Sequence, residues 1–252
     1  MAGSEMNALV TGVSRRVGIG FAIVRRLQEQ GASVFVQGWT AHDARQEWGA
    51  DPDELEGVAG ELGVGHIEAD FAEPDAPARV IAAAREALGP LDVMVVNHAR
   101  SGHGRLGELD AEHLDAFLDE NVRASLLLVQ EFAAQYDDAQ GGGRIVLLTS
   151  GAHLGPMARE VGYAVSKGAL AIATKTLADE LANRGITVNC VNPGPTDTGW
   201  GLAEVDPARH MPFGRWGEPD DAARLVAWLC SDDARWITGQ VIDSEGGFRR
   251  SG

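Results

Sequence analysis

The sequence predicts a single α/β domain built on a parallel sheet with helices on both faces. Three observations predict it: short apolar runs of β-branched character, longer segments of helical period, and the regular alternation of the two. The runs are nearly continuous in their apolar residues, as strands covered on both faces are. Residues 8–10 form the first run, and a helical period follows over 19–30. Residues 34–37 make the next strand, 77–88 a helix and 93–97 a buried strand. A helix is read across 111–136, a strand at 144–149 and a helix from about 161 to 183. Strands at 187–191 and 240–242 close the series. Units of this kind wind both faces of one sheet, the doubly wound Rossmann-type arrangement. No internal repeat, low-complexity tract or linker divides residues 1–252, so the whole chain reads as one domain. Residues 194–218 carry Gly, Pro, Trp and Met without a period, ahead of a helix starting near Pro219, and read as a loop over a ligand site.

Composition narrows the function classes. Hydrophobic residues make up 44% of the 252, enough for a sizeable core, and 23% are charged, which excludes wholesale disorder. The net charge of −16 repels nucleic acid and anionic membranes, so neither is an expected partner and any anion site must be locally positive. Cys190 and Cys230 lie in apolar surroundings without zinc spacing and read as buried free thiols. His98, His103 and His153 show no ligand spacing either, and no metal is expected. The first residues lack a basic leader, and no run approaches the roughly 18–20 apolar residues of a membrane span. A cytoplasmic protein is expected.

After the first strand comes TGVSRRVGIG, with Gly12, Gly18 and Gly20, and then a helix. Glycines let a backbone approach a pyrophosphate, and the helix N-terminus stabilises its charge. The spacing is not G-x-G-x-x-G, so a bland tight turn is the competing reading. The second strand ends VFVQGWTAHD, without a carboxylate at its tip to accept the ribose hydroxyls of NAD. Arg15 and Arg16 in the turn can pair with an adenosine 2′-phosphate, which favours NADPH/NADP over NADH/NAD; the alternative is that one or both face solvent.

Tyr163 and Lys167 are four apart on a helix and share a face. A cation close to a phenol stabilises the phenolate and makes proton exchange easier. Ser150 ends the strand RIVLLTS at the carboxyl edge of the sheet, where α/β proteins bind ligands. With these residues the chain resembles the short-chain dehydrogenase/reductase family, whose Ser and Tyr-x-x-x-Lys stand here as Ser150, Tyr163 and Lys167. The resemblance extends over nearly the whole chain: the Thr11-Gly12 turn, Asp70 after the third strand, Asn97 and Ala99 after the fourth, Asn121, and Pro193-Gly194 followed by Thr196 and Thr198. The stretch from PFGRWGEPDD to DSEGG is similar to bacterial 3-oxoacyl-(acyl carrier protein) reductase-like members.

The resemblance implies that Tyr163 protonates a carbonyl oxygen held by Ser150, that Lys167 lowers the tyrosine and holds the nicotinamide ribose, and that Asn121 holds a relay water. Asp70 would meet the adenine amine, with Phe71, Asn97 and Ala99 lining the adenosine side. Gly12, Ser14, Gly18, Ile19, Pro193 and Gly194 would also contact the cofactor, and the Thr196 to Thr198 stretch would clamp the carboxamide. For Asn121 the competing reading is a helix-interior polar group that satisfies neighbouring backbone. The family also implies a homotetramer built through residues 111–136, 161–183 and 237–242.

The sequence departs from the family at two places. The glycine turn is two residues longer, which leaves open whether Arg15 or Arg16 reaches the 2′-phosphate; Asn-Asn-Ala-Gly appears as Asn97-His98-Ala99-Arg100. His153 is a pocket candidate, and Trp200, Met211, Phe213 and Trp216 either roof an apolar substrate or pack the loop. The substrate is read as a small ketone or acyl thioester. A carrier-protein-bound form would need a basic rim from Arg100, Arg105, Arg123 or Arg159 on this acidic chain. NAD(P)-linked oxidation of a secondary alcohol is the alternative activity, and a catalytically silent nucleotide sensor the remaining one.

Overall fold

The computed structural model describes residues 6–46, 48–51, 53–139, 141–199, 202 and 206–250. Seven parallel strands lie in the order β3-β2-β1-β4-β5-β6-β7: β1 (Asn7–Thr11), β2 (Ser33–Gly38), β3 (Gly65–Glu68), β4 (Val93–Val96), β5 (Arg144–Leu148), β6 (Thr187–Asn192) and β7 (Val241–Asp243). β1 pairs with β2 on one side and with β4 on the other, so the strand order reverses at β1 and opens a crevice beyond the carboxyl ends of these strands.

Side-chain alternation along the strands builds two cores. Ala8, Val10, Val34, Val36, Val93, Val95 and Val146 pack on one face against α1 (Ile19–Glu29), α3 (Glu54–Leu62) and α8 (Pro219–Cys230). Leu9, Phe35, Met94, Val96, Ile145 and Leu147 pack on the other against α4 (Ala76–Leu88), α6 (Ala124–Gln135) and α7 (Val161–Ala182). The two cysteines are buried and free, and they belong to opposite cores: Cys230 to the first, Cys190 to the second.

Four elements differ from the expectation, among them α3, a helix that was not expected. β3 had no apolar run to mark it, because it lies at the sheet edge and none of its four residues is buried. A one-turn helix, α2 (Thr40–Asp43), follows β2. The helix expected over 111–136 is divided into α5 (Ala111–Phe117), a π-helical turn (Leu118–Arg123) and α6, with Asn121 fully buried at the turn. Wide turns of this kind recur at functional sites.

The glycine turn needs its glycines. Gly12 has φ +72°, and a Cβ there would stand 2.7 Å from the His98 backbone; a Cβ at Gly20 would stand 2.5 Å from the Gly12 carbonyl. The two extra residues are absorbed in a tight turn closed by Gly18 N–H donating to the Arg15 carbonyl at 3.0 Å.

Candidate active site

The crevice has two connected ends. A cavity of about 220 Å³ is walled by the glycine turn, Gln37, Asp43, Asp70, Phe71 and residues 97–100. A cleft of about 650 Å³ is lined by Ser150, Tyr163, Met157, Glu160, the 192–196 segment and Phe248. Arg15, Ile19 and Thr198 line both.

At the first end the strand tips are tied to the turn. Asn97 donates its amide to the carbonyls of Thr11 and Gly12 at 3.1 and 2.9 Å. Gln37 accepts from Gly12 N–H and donates to the Gly38 and Ala69 carbonyls. His98 is buried, and burial with the Lys167 charge pushes it down to about 3, so the ring is neutral. Its Nε2 faces the Glu120 carbonyl at 3.0 Å and must donate, which leaves Nδ1 to accept from the Thr11 hydroxyl at 2.8 Å. The α1 N-terminus has no side-chain cap and no acid in its first turn, so its amide donors point at the crevice unchallenged by a fixed anion.

The two arginines part company. Arg15 reaches across the crevice, donating to the Thr198 carbonyl at 3.0 Å, with its guanidinium 5.2 Å from the Trp48 ring and 3.5 Å from Asp43. Asp43 also accepts from the Ser14 hydroxyl and from Trp48 Nε1. Arg16 turns to Asp51, Asp53 and Glu61 and lines neither cavity. Asp43 and Gln37 escaped sequence reading because only the folded chain brings them to the turn.

At the second end the Ser150 hydroxyl oxygen accepts a long bond from Ala152 N–H at 3.4 Å, and its proton is free to serve a ligand. The Ser150 hydroxyl has only Met157 Sδ, at 3.9 Å, as an acceptor, a weak one. Tyr163 lies in the first turn of α7, and burial together with the Glu160 carboxylate pushes its phenol up from the ordinary value. Lys167 is 2% exposed, donates to the Leu148 carbonyl at 2.9 Å and is brought down to about 8 by burial. Asn121 accepts from Arg100 N–H at 2.7 Å and donates to the Arg100 carbonyl and to Ser166 Oγ, at 3.0 and 2.9 Å. Ser166 Oγ in turn donates to the Tyr163 carbonyl, so Asn121 braces the α7 start against the end of β4.

Other sequence candidates fall elsewhere. Asp70 and Ala99 line the first cavity; Pro193, Gly194, Thr196 and Thr198 line the second end. His153 turns its Nε2 to Asp243 at 3.2 Å and does not line the cleft. Met211 and Phe213 line a separate cavity of about 220 Å³ with Pro193 and Pro195, and Trp216 stacks on His210. Trp200 lies outside the described residues. The cleft instead gains Leu202, Phe248 and Arg250, whose guanidinium pairs with the nearly buried Glu245 at 2.5 Å. Their distance in sequence from Tyr163 hid them. No group of three or more potential metal ligands occurs among the described residues.

The chain is similar to known proteins over nearly its whole length. A family model described as enoyl-(acyl carrier protein) reductase matches residues 12–249. The chain is 41% identical to the uncharacterized oxidoreductase YjdA of Bacillus subtilis (strain 168) over 249 residues, 98% of each protein. A blue fluorescent protein from a metagenomic library, solved in complex with NADPH, superimposes with TM-score 0.83 at 34% identity, covering 95% of this chain and 96% of that one. A short chain dehydrogenase from Burkholderia cenocepacia J2315, in complex with NADP, gives TM-score 0.82 at 34% identity, covering 96% and 97%.

Proposed function

The chain belongs to the short-chain dehydrogenase/reductase family, and on that premise we propose that this NAD(P)-dependent oxidoreductase uses NADPH to reduce a ketone or 3-oxoacyl group to a secondary alcohol. The observation that carries the reading is the meeting of Ser150 and Tyr163, the serine proton held only by a thioether, in a cleft continuous with the glycine turn through Arg15. The residues fit a dinucleotide: Gly12 and Gly20 leave space that a Cβ would fill, the α1 N-terminus is uncapped, and Arg15, 3.5 Å from Asp43, brings a guanidinium to the cavity. The proteins solved with NADPH and NADP support the choice of the phosphorylated cofactor.

When bound, the nicotinamide supplies hydride. Ser150 donates to the substrate carbonyl oxygen and orients it, and Tyr163 gives that oxygen its proton as charge develops there. Burial keeps the Tyr163 phenol protonated, so it stands ready as the acid. Lys167, buried behind it on the same helix, returns the tyrosine toward the phenolate range once its ammonium shifts from the Leu148 carbonyl toward the reacting groups. Both Asn121 amide protons are engaged, so it would hold a relay water only as an acceptor, at Oδ1 beside Arg100 N–H or at its main-chain carbonyl beside Ser125. Asp70, Phe71, Asn97 and Ala99 hold the adenosine side. Ser14, Gly18 and Ile19 hold the phosphates, and residues 193–198 the carboxamide.

The cleft volume of about 650 Å³ suits a free small molecule. Of the arginines that could form a carrier-protein rim, Arg100 and Arg123 are paired with Glu120 and Asp119, which supports a free ketone or thioester over a carrier-bound one. Leu118, Leu126, Val165 and Ile172 are exposed on the π turn, α6 and α7, and Trp236 is 93% exposed before β7, which supports a homotetramer built on these surfaces. No described helix is long and apolar enough to cross a membrane, and two free thiols suit the reducing cytoplasm.

The test is nicotinamide absorbance decay with NADPH and NADH in parallel, over small ketones and 3-oxoacyl thioesters, with Tyr163→Phe as control. NADPH-dependent turnover lost in the variant is expected. Turnover that persists in Tyr163→Phe removes the proton-donor role, and NADH used more efficiently than NADPH overturns the cofactor choice.

A further inference from the structure

Glu160 is a charged side chain of the substrate cleft to which the reduction step assigns no role. Its side chain is 16% exposed, it lines the same cleft as Ser150 and Tyr163, and it stands three residues before Tyr163 at the start of α7. Its carboxylate does not cap the helix that it precedes. Among the described residues its nearest cation is His103 Nδ1, 4.0 Å away on a side chain that is 72% exposed. Arg250 across the cleft is committed to Glu245.

The backbone that carries Glu160 is fixed. Gly104 donates to the Arg159 carbonyl at 2.7 Å and accepts from Val161 N–H at 3.1 Å, while Glu160 N–H donates to the Met157 carbonyl at 3.0 Å. The main chain from which the side chain enters the cleft is therefore fixed. A polar group buried without a partner is costly, and a carboxylate more so than a neutral group. Burial does raise the Glu160 carboxyl above its ordinary value, in keeping with this lack of partners. Met157 and Phe248, which line the same cleft, offer no donor.

We propose that Glu160 is a specificity-determining residue that accepts a hydrogen bond from the substrate, and that the preferred substrate is a carbonyl compound with a donor, a hydroxyl or a protonated amine, a few bonds from the carbonyl. The proposal rests on the reductase reading and adds the substrate class to it. A donor fills the acceptor's vacancy when the substrate binds; a purely alkyl ketone leaves it desolvated and unpaired. Sites built around such a group discriminate against the analogue lacking it far more than apolar pockets discriminate by shape.

The experiment compares matched substrates: a hydroxyketone, the corresponding aminoketone, and the alkyl ketone with a methyl group in the donor's place. The enzyme is expected to favour the donor-bearing ketones by about tenfold or more in kcat/KM, short of the largest ratios because Glu160 keeps some contact with water. In Glu160→Leu that ratio falls to about one. Glu160→Gln keeps a neutral acceptor of the same shape, so it retains much of the hydroxyketone preference and loses the aminoketone preference. NADPH binding, followed by nucleotide fluorescence, shows that each variant is folded. A ratio near one in the unaltered enzyme, or a ratio unchanged in Glu160→Leu, overturns the proposal. If alkyl ketones turn over as fast as the others and Tyr163→Phe abolishes this, the reductase reading stands and only the Glu160 assignment fails. If no ketone turns over with either cofactor, both fail.

Discussion

The two ends of the crevice differ in how much of their hydrogen-bonding capacity the chain itself uses. At the adenosine end Asn97, Gln37, His98, Ser14 and Asp43 are each bonded to the glycine turn, to a strand tip or to one another. At the substrate end Ser150 has only a thioether for an acceptor, and the Glu160 carboxylate does not cap α7 and faces only His103, at 4.0 Å. One end is a preassembled cradle for a molecule of fixed chemistry. The other holds its polar groups in reserve for a ligand that completes them, the pattern expected where local rules yield to function.

This contrast can be broken or sharpened by four experiments of decreasing size. Tyr163→Phe removes the acid at the open end and is expected to lower kcat/KM about 10²- to 10⁴-fold. The KM for NADPH should stay unchanged in steady-state assays; a matching rise there would show that the two ends are not separable. Arg15→Ala removes a charge-assisted contact at the junction and should raise the NADPH KM about ten- to a hundredfold while changing the NADH KM little.

His98→Asn tests the closed end through stability. Burial sets the folded His98 at about 3, below its ordinary value of 6.5, so the unfolded chain takes up a proton first as pH falls. The stability held by the neutral ring is complete above 6.5 and is lost as pH falls from 6.5 toward 3, at up to about 1.4 kcal/mol per pH unit. Thermal denaturation between pH 4 and 6.5 should show a shallower acid limb in the variant; an unchanged limb would mean that His98 is not what makes this end acid-sensitive. Smallest is Arg16→Ala, expected to alter the NADPH KM by less than about twofold because its guanidinium engages only Asp51, Asp53 and Glu61. A larger rise would place Arg16 at the phosphate.

Legibility in the sequence follows the same division. The strands with continuous apolar runs, the long glycine turn and the spacing of Ser150, Tyr163 and Lys167 are local patterns, and each is found near its expected boundaries. β3 is not, because an exposed edge strand needs no apolar run. Local spacing puts Arg15 and Arg16 in the same turn but cannot say which one faces the crevice, since Asp43 and Trp48 claim one and the acids of residues 51–61 the other. The brace formed by Asn121 was legible as a residue but not as a contact, because its partners Arg100 and Ser166 meet it only in three dimensions. Arg250 was invisible because only the folded chain brings it to the cleft, and Glu160, though close to Tyr163 in sequence, because burial is not written in spacing.

The π turn has an effect on the outer surface as well. An α-helix advances about 100° per residue, so two residues eight apart on an unbroken helix point about 80° away from each other. A π turn inserts about one residue without the accompanying rotation, which brings Leu118 and Leu126 to within about 20° of a common line. Both leucines are exposed, while Asn121, Ala124 and Leu128 face inward. A single surplus residue thus sets the phase of both sides of this helix at once. Deleting it would rotate α6 relative to α5, dispersing the outer leucine stripe and withdrawing the Asn121 brace in the same step.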